Sequence, residues 1–211
     1  MFCVEVIRLK IAINVDGVLL NKADFQYKYG QEFFKDKLFF RNEAACHFRD
    51  MFNCSREEQD MFWKKYALKY YTKVKPEEGA SEFTRRLKED MHDIYLMVSR
   101  KNILDCNMKG YFYRLLLNRW LSNNDIFYDG IVYCDYENSV YDKYNACKNI
   151  GFDYIVDDKI SDILCLSYVS NVLIFNRQYN IGLVKYDRFY NFDDMYHFLE
   201  MKGKKKVKKY E

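Results

Sequence analysis

The sequence predicts an α/β protein: a mainly parallel sheet with helices on both faces, interrupted by a small helical cap. Three observations carry this. Short apolar runs rich in Val, Ile and Leu recur at 94–98, 131–133, 154–156 and 172–175; each is too short for a helix and lacks the alternation of a half-exposed strand. Helical patterns separate these runs, as strand–helix–strand units require. Residues 21–75 contain no such run and instead carry polar and aromatic residues at helical spacing.

Taken in order, Val4 to Ile13 reads as the first strand. Phe25, Tyr29 and Phe33 mark one helix of the insert, and Met61, Phe62, Lys65 and Tyr66 a second, which Ser55-Arg-Glu-Glu58 opens with a capping-box pattern. After Pro76 the alternation begins. Glu77 to Lys88 is an amphipathic helix with proline at its start, Ile94 to Val98 a strand, Tyr111 to Leu121 a helix and Ile131 to Tyr133 a strand. Lys143 to Asn149 is a helix that stops near Gly151. Tyr154 to Val156, Ile160 to Leu166 and Val172 to Phe175 follow as strand, helix and strand, and a helix over Asp193 to Glu200 closes the fold. The implied division is a core domain of residues 1–20 and 76–201, a cap of 21–75, and a lysine-rich tail of 202–211.

Composition agrees with a compact fold. The 211 residues are 49% apolar, with 20 Tyr, 17 Phe, eight Gly and a single Pro. Net charge is +3, but the last eleven residues contribute +5, leaving the body near −2. The body therefore excludes bulk nucleic-acid binding, and any such partner would act through the 202–211 tail. Seven cysteines, an odd number with no Cys-x-x-Cys pair, suit a reduced, cytoplasmic protein. No apolar run is long enough for a membrane span.

The chemistry-bearing residues sit at strand ends. The first strand delivers Asn14 and Asp16 before Gly17, the 94–98 strand ends at Ser99-Arg100, Lys143 lies near the start of the next helix, and the 154–156 strand ends at Asp157-Asp158, with Asp162 four residues on. Each alone has an ordinary reading: a turn, a helix cap, an exposed lysine. In a parallel sheet, however, all gather at one edge, outside the carboxyl ends of the strands. Clustered carboxylates repel unless a cation joins them. Hard oxygen donors of this kind suit Mg²⁺ with waters and a phosphate, and Ser99 and Lys143 suit phosphate oxygens. The reaction class is phosphoryl transfer.

The order of these clusters resembles the four motifs of the haloacid dehalogenase superfamily, and with it a HAD-like Rossmannoid core. Asn14-Val-Asp16-Gly17 resembles the first motif, normally Asp-x-Asp-Gly. Tyr95 to Ser99 resembles the second, Lys143 the third, and Ile155-Val-Asp157-Asp158 with Asp162 the fourth. The short spacing from Lys143 to the acidic pair resembles the branch holding type C cytosolic 5′(3′)-deoxyribonucleotidases and bacterial nucleotidase-like proteins. Phe62-Trp63, Trp120-Leu121 and Phe175 to Asn180 are further local matches.

The resemblance implies a hydrolase of phosphomonoesters, nucleotides among them, with Mg²⁺. It implies that the residue at position 14 attacks phosphorus, that Asp16 is the acid/base, and that Ser99, Lys143 and Arg100 bind the phosphoryl group. Mg²⁺ would meet the side chain of Asn14, the carbonyl of Asp16 and Asp158, with Asp157 or Asp162 behind. Asn14 departs from this pattern. An amide has no anionic oxygen with which to attack, and it removes a charge from the cation site. The expected function is a nucleotidase-like phosphatase scaffold with impaired turnover; the alternative is a non-catalytic binding or regulatory protein. Phe25, Tyr29, Phe33, Trp63 and Tyr66 are candidates either for stacking on a base or for packing the cap. His47 and His92 stand outside any metal spacing.

Overall fold

The computed structural model describes residues 3–35, 42 and 44–207. Residues 36–41 and 43 of the expected cap, and 208–211 of the expected tail, lie outside the described residues. The first strand is two. β1 (Cys3–Val6) and β2 (Lys10–Asn14) are separated by a turn in which the Ile7 N–H donates to the Gly203 carbonyl at 2.7 Å. The other strands are β3 (Asp93–Val98), β4 (Gly130–Tyr133), β5 (Tyr154–Asp157), β6 (Asn171–Phe175), β7 (Arg188–Phe189) and β8 (Lys204–Val207).

Six of them form one parallel sheet in the order β4-β3-β2-β5-β6-β7. The chain leaves β2 toward one edge through β3 and β4, then returns to build the other edge from β5. The crevice between the carboxyl ends of β2 and β5 is thus the point where the winding reverses, which is where open sheets of this kind bind ligands. Central strands bear out the apolar reading: Ile11, Ala12 and Ile13 on β2, Leu96 and Met97 on β3 and Ile155 and Val156 on β5 are buried.

The helices are α1 (Lys22–Phe33), α2 (Phe48–Phe52), α3 (Arg56–Lys73), α4 (Ala80–Glu89), α5 (Met108–Asn123), α6 (Ser139–Ile150), α7 (Ile160–Leu166) and α8 (Phe192–Gly203). The capping box forms at α3: the Ser55 hydroxyl accepts from the Glu58 N–H and the Glu58 carboxylate accepts from the Ser55 N–H. α1, α2 and α3 pack on one another through a run of rings, with Phe48 and Phe62 stacked at 4.1 Å, Tyr29 and Tyr66 at 5.3 Å, and Phe25 and Tyr70 at 4.9 Å. This mainly aromatic packing explains why the insert has no apolar strand-like run.

Three boundaries differ from the sequence reading. α4 begins at Ala80, with Gly79 left-handed at its N-cap (φ 80°), rather than at Glu77 beside Pro76. Glu77 is instead held outside the helix, its N–H on the Leu19 carbonyl and its carboxylate on Arg177. α6 begins four residues before Lys143, which therefore lies inside the helix. At the C-terminus, α8 runs to Gly203, and β8 then pairs antiparallel with β1, Glu5 opposite Lys205. No described helix is long and apolar enough to cross a membrane. Cys134 and Cys147 are buried free thiols.

Candidate functional site

β2 ends at Asn14, and the chain turns at once: the Val15 N–H still pairs with the Met97 carbonyl on β3, while the Gly17 N–H bonds the Leu20 carbonyl at 2.8 Å. Gly17 has φ 116°, and a Cβ there would stand 2.1 Å from Asp158 Oδ2. Only glycine allows Asp158 this close to the turn. Gly17→Ala is therefore expected to cost about 3 kcal/mol or more through strain and displacement of a buried carboxylate, read as a lowered denaturation midpoint.

The turn and the end of β5 meet through Asn14. Its side-chain nitrogen donates to Asp158 Oδ1 at 3.0 Å and to the Asp16 carbonyl at 2.9 Å, and lies 3.3 Å from Asp157 Oδ1. The N–H groups of Asp158 and Lys159 also donate to Asp157 Oδ1. Asp157 Oδ2 receives Lys143 at 2.7 Å, and the same ammonium reaches Asp162 Oδ2 at 2.6 Å. Tyr179, on a short 3₁₀ turn after β6, donates its hydroxyl to Asp158 Oδ2, and the Asn180 amide donates to the Asp158 carbonyl.

Charge follows from these contacts. Burial works against the Lys143 charge, yet Asp157 and Asp162 between them hold its pKa raised. Burial pushes Asp157 up to about 6 against the pull of Lys143, and raises Asp158 despite the Tyr179 hydrogen bond. Asp162 is also buried, but Lys143 and Lys159 hold it below the usual carboxylate range.

Asp16 is placed differently from an idle acid/base. Its carboxylate receives Arg100 Nε and a terminal Arg100 nitrogen at 2.6–3.0 Å and the Tyr70 hydroxyl at 2.6 Å. The Asp16 and Arg100 side chains are 7% and 5% exposed, and the guanidinium lies 4.8 and 4.6 Å from the ring centres of Tyr70 and Tyr71. Burial alone would raise the Asp16 carboxyl; the Arg100 pair outweighs it and keeps the group ionised. Arg100, expected to help bind phosphate, thus spends its fork on Asp16.

Ser99, just past the end of β3, is half-buried, but its hydroxyl oxygen is fully buried and has no nitrogen or oxygen partner; its polar neighbour is the Cys134 thiol. It lines a cavity of about 380 Å³ together with Asn14, Asp16, Lys143, Asp158 and Asp162. The strand ends therefore bring together Asn14, Asp16, Ser99, Lys143, Asp158 and Asp162, as their placement in the sequence predicts. Arg100 reaches this group through Asp16, and Asp157 stands behind Lys143 and Asn14. Tyr70, Tyr179 and Asn180 were missed as site residues. Tyr70 carries only a core-like signal, four residues after Tyr66, and the Tyr179-Asn180 pair was visible only as a local match.

The oxygen donors fit Mg²⁺ poorly as they stand. The amide nitrogen of Asn14 hydrogen-bonds Asp16 O and Asp158 Oδ1, the same two oxygens that the resemblance offers to the cation. Among the described residues, no group of three or more His, Cys, Asp or Glu side chains is arranged to hold a metal. An amide N–H₂ here does part of what a cation would do, giving buried carboxylate oxygens a positive partner.

No family model matches the chain. A protein named as a nucleotidase, from Clostridium acetobutylicum, is 21% identical over 192 residues, covering 90% of this chain and 92% of that protein. Among solved structures, a predicted phosphatase from Clostridium acetobutylicum superposes with a TM-score of 0.63 at 12% identity, over 91% of this chain and 98% of its own. A predicted phosphoglycolate phosphatase from Haemophilus somnus 129pt gives 0.62 at 14%, over 91% and 98%. A HAD-superfamily hydrolase of subfamily IA from Geobacter sulfurreducens PCA gives 0.60 at 12%, over 91% and 96%.

Proposed function

On the haloacid dehalogenase-like fold that this chain carries, we propose a nucleotidase-like phosphate site that binds a phosphomonoester, a nucleotide in particular, with turnover impaired by Asn14. One observation carries this reading: the residue at the end of β2 is an amide hydrogen-bonded to Asp158 and Asp16, not a carboxylate free to attack. The similarity to a protein named as a nucleotidase supports the nucleotide as ligand.

The chain's own residues suit binding. An ammonium has three N–H donors. Lys143 uses two on Asp157 and Asp162, which leaves the third for a phosphoryl oxygen. The Ser99 hydroxyl, buried without a nitrogen or oxygen partner, supplies a second donor. With a neutral amide in place of a carboxylate, an incoming phosphate meets one negative charge fewer. Mg²⁺ is the cation of the fold family's phosphatases, and it would supply charge neutralisation when bound; in this reading the Asn14 amide makes it dispensable for binding. The insert of residues 21–75 serves as a cap that excludes water.

Catalysis is weak on two counts. Asn14 cannot form the covalent intermediate. Asp16, paired with Arg100, carries no proton to give to a leaving oxygen at neutral pH. A specific result separates a phosphate site from an inert fold. Ser99→Ala removes a hydroxyl that has no nitrogen or oxygen partner, so stability is expected to hold or rise slightly, while affinity for a nucleoside monophosphate falls about tenfold. Calorimetric titration beside a denaturation curve checks both; unchanged affinity would count against the reading.

A further inference from the structure

A second cavity of about 390 Å³ opens beside the first, and the two share Lys22, Asp60, Lys101 and Tyr136 on their walls. It has a different chemistry. Its walls carry Trp63, Tyr71 and Tyr113 with Lys22, Lys64 and Lys109. Lys101 is paired with Asp60 at 2.7 Å, but Lys22, Lys64 and Lys109 have no carboxylate partner among the described residues. The Trp63 indole N–H is buried with no hydrogen-bond partner. Tyr71 and Tyr113 stack at 4.9 Å. Lys22 stands at the junction, its ammonium 5.9 and 5.8 Å from the ring centres of Trp63 and Tyr136.

These features call for a ligand that is both aromatic and anionic. Rings offer flat apolar contact, the orphaned indole N–H calls for an acceptor, and unpaired ammoniums call for negative charge. A phosphate in the first cavity satisfies Ser99 and Lys143 but leaves Lys64 and Lys109 unanswered. We infer that the ligand is a nucleotide bearing a second phosphate, the first group seated at Ser99 and Lys143 and the base and second phosphate in the cavity of Trp63, Lys64 and Lys109. This rests on the phosphate reading of the first cavity.

The test uses the full chain, with adenosine 5′-monophosphate and adenosine 3′,5′-bisphosphate titrated in parallel by calorimetry. The bisphosphate is expected to bind at least about tenfold more tightly. Lys64→Ala/Lys109→Ala, a change at two exposed positions, is expected to bring the affinity of the bisphosphate to within about twofold of that of the monophosphate. Equal affinities in the unaltered chain, or a preference that survives in the double variant, would overturn the inference. Ser99→Ala separates the two readings. It is expected to weaken both nucleotides by the same factor. If it weakens neither while the double variant still removes the preference, the first-cavity reading fails and with it the seat of the first group, and only the contact of the second phosphate with Lys64 and Lys109 is kept.

Discussion

Replacing Asn14 with aspartate is expected to make the stability of this protein depend on Mg²⁺. Two effects act together in the metal-free state. The variant loses the amide donor that serves Asp158, Asp157 and the Asp16 carbonyl, and it sets a third carboxylate against two that are already buried. Leaving buried acceptors unpaired and adding an uncompensated charge costs about 3–5 kcal/mol. Asp157 and Asp158 are already raised by burial, so the added group titrates upward as well, and the loss shrinks as pH falls and a proton returns to the cluster. Added Mg²⁺ binds the native state alone and recovers stability by mass action. The unaltered chain, whose amide already faces these oxygens, is expected to melt within about a degree with or without Mg²⁺, whereas the variant rises by about ten degrees, on the scale of about 2–4 °C per kcal/mol for a chain of this length. Thermal melts in EDTA and in Mg²⁺ check this; equal metal responses would contradict the role given to the amide.

The second large effect lies at Arg100. Arg100→Met keeps apolar bulk against Tyr70 and Tyr71 but leaves the Asp16 carboxylate buried with the Tyr70 hydroxyl as its remaining side-chain hydrogen bond among the described residues. Breaking a buried pair from one side is expected to cost about 3–5 kcal/mol at pH 7. The sign with pH follows from the shift. Asp16 is held below its usual range in the native protein, so its stabilisation is present above the unfolded pKa of about 3.9 and is lost as pH falls through the lower folded value. In the variant, burial raises Asp16 instead, so folding improves as pH falls toward that same unfolded value. The gap between the two proteins therefore closes with acid, and denaturant midpoints at several pH values measure it. There is a chemical consequence too. Freed from Arg100, Asp16 can hold a proton, so adding Arg100→Met to Asn14→Asp is expected to hydrolyse a nucleoside monophosphate, whose alkoxide leaves poorly unprotonated, faster than Asn14→Asp alone.

Much of this was legible in the chain because the signals are local. The apolar runs ending at Asn14, Ser99 and Asp157-Asp158 fix both the strands and what they deliver, and a parallel sheet then requires that these ends converge. The haloacid dehalogenase-like fold expected from their order is the fold observed, and the solved structures of similar shape agree. What was not legible depends on partners distant in sequence. Nothing near Arg100 says that it will bond Asp16 eighty-four residues away, because an arginine after a strand is equally suited to phosphate or solvent. The pairing of β8 with β1 was hidden because Lys-Lys-Lys-Val has low strand propensity by itself. Tyr179 and Asn180 gain their meaning only when the turn after β6 folds back onto Asp158. Position 14 is the exception. Its amide was visible from the start, and the structure adds the acceptors that the amide serves.

Binding and hydrolysis followed together decide whether this site holds a phosphomonoester without hydrolysing it. The unaltered chain and Asn14→Asp are each mixed with a nucleoside monophosphate, in EDTA and in Mg²⁺, while bound nucleotide and released inorganic phosphate are followed in the same samples. The expected result is saturable binding by the unaltered chain in EDTA with no phosphate released, and release by Asn14→Asp only with Mg²⁺, at least about 10³-fold faster, as restoring a nucleophile allows. Multiple-turnover release by the unaltered chain, or no binding by it under either condition, would contradict the account.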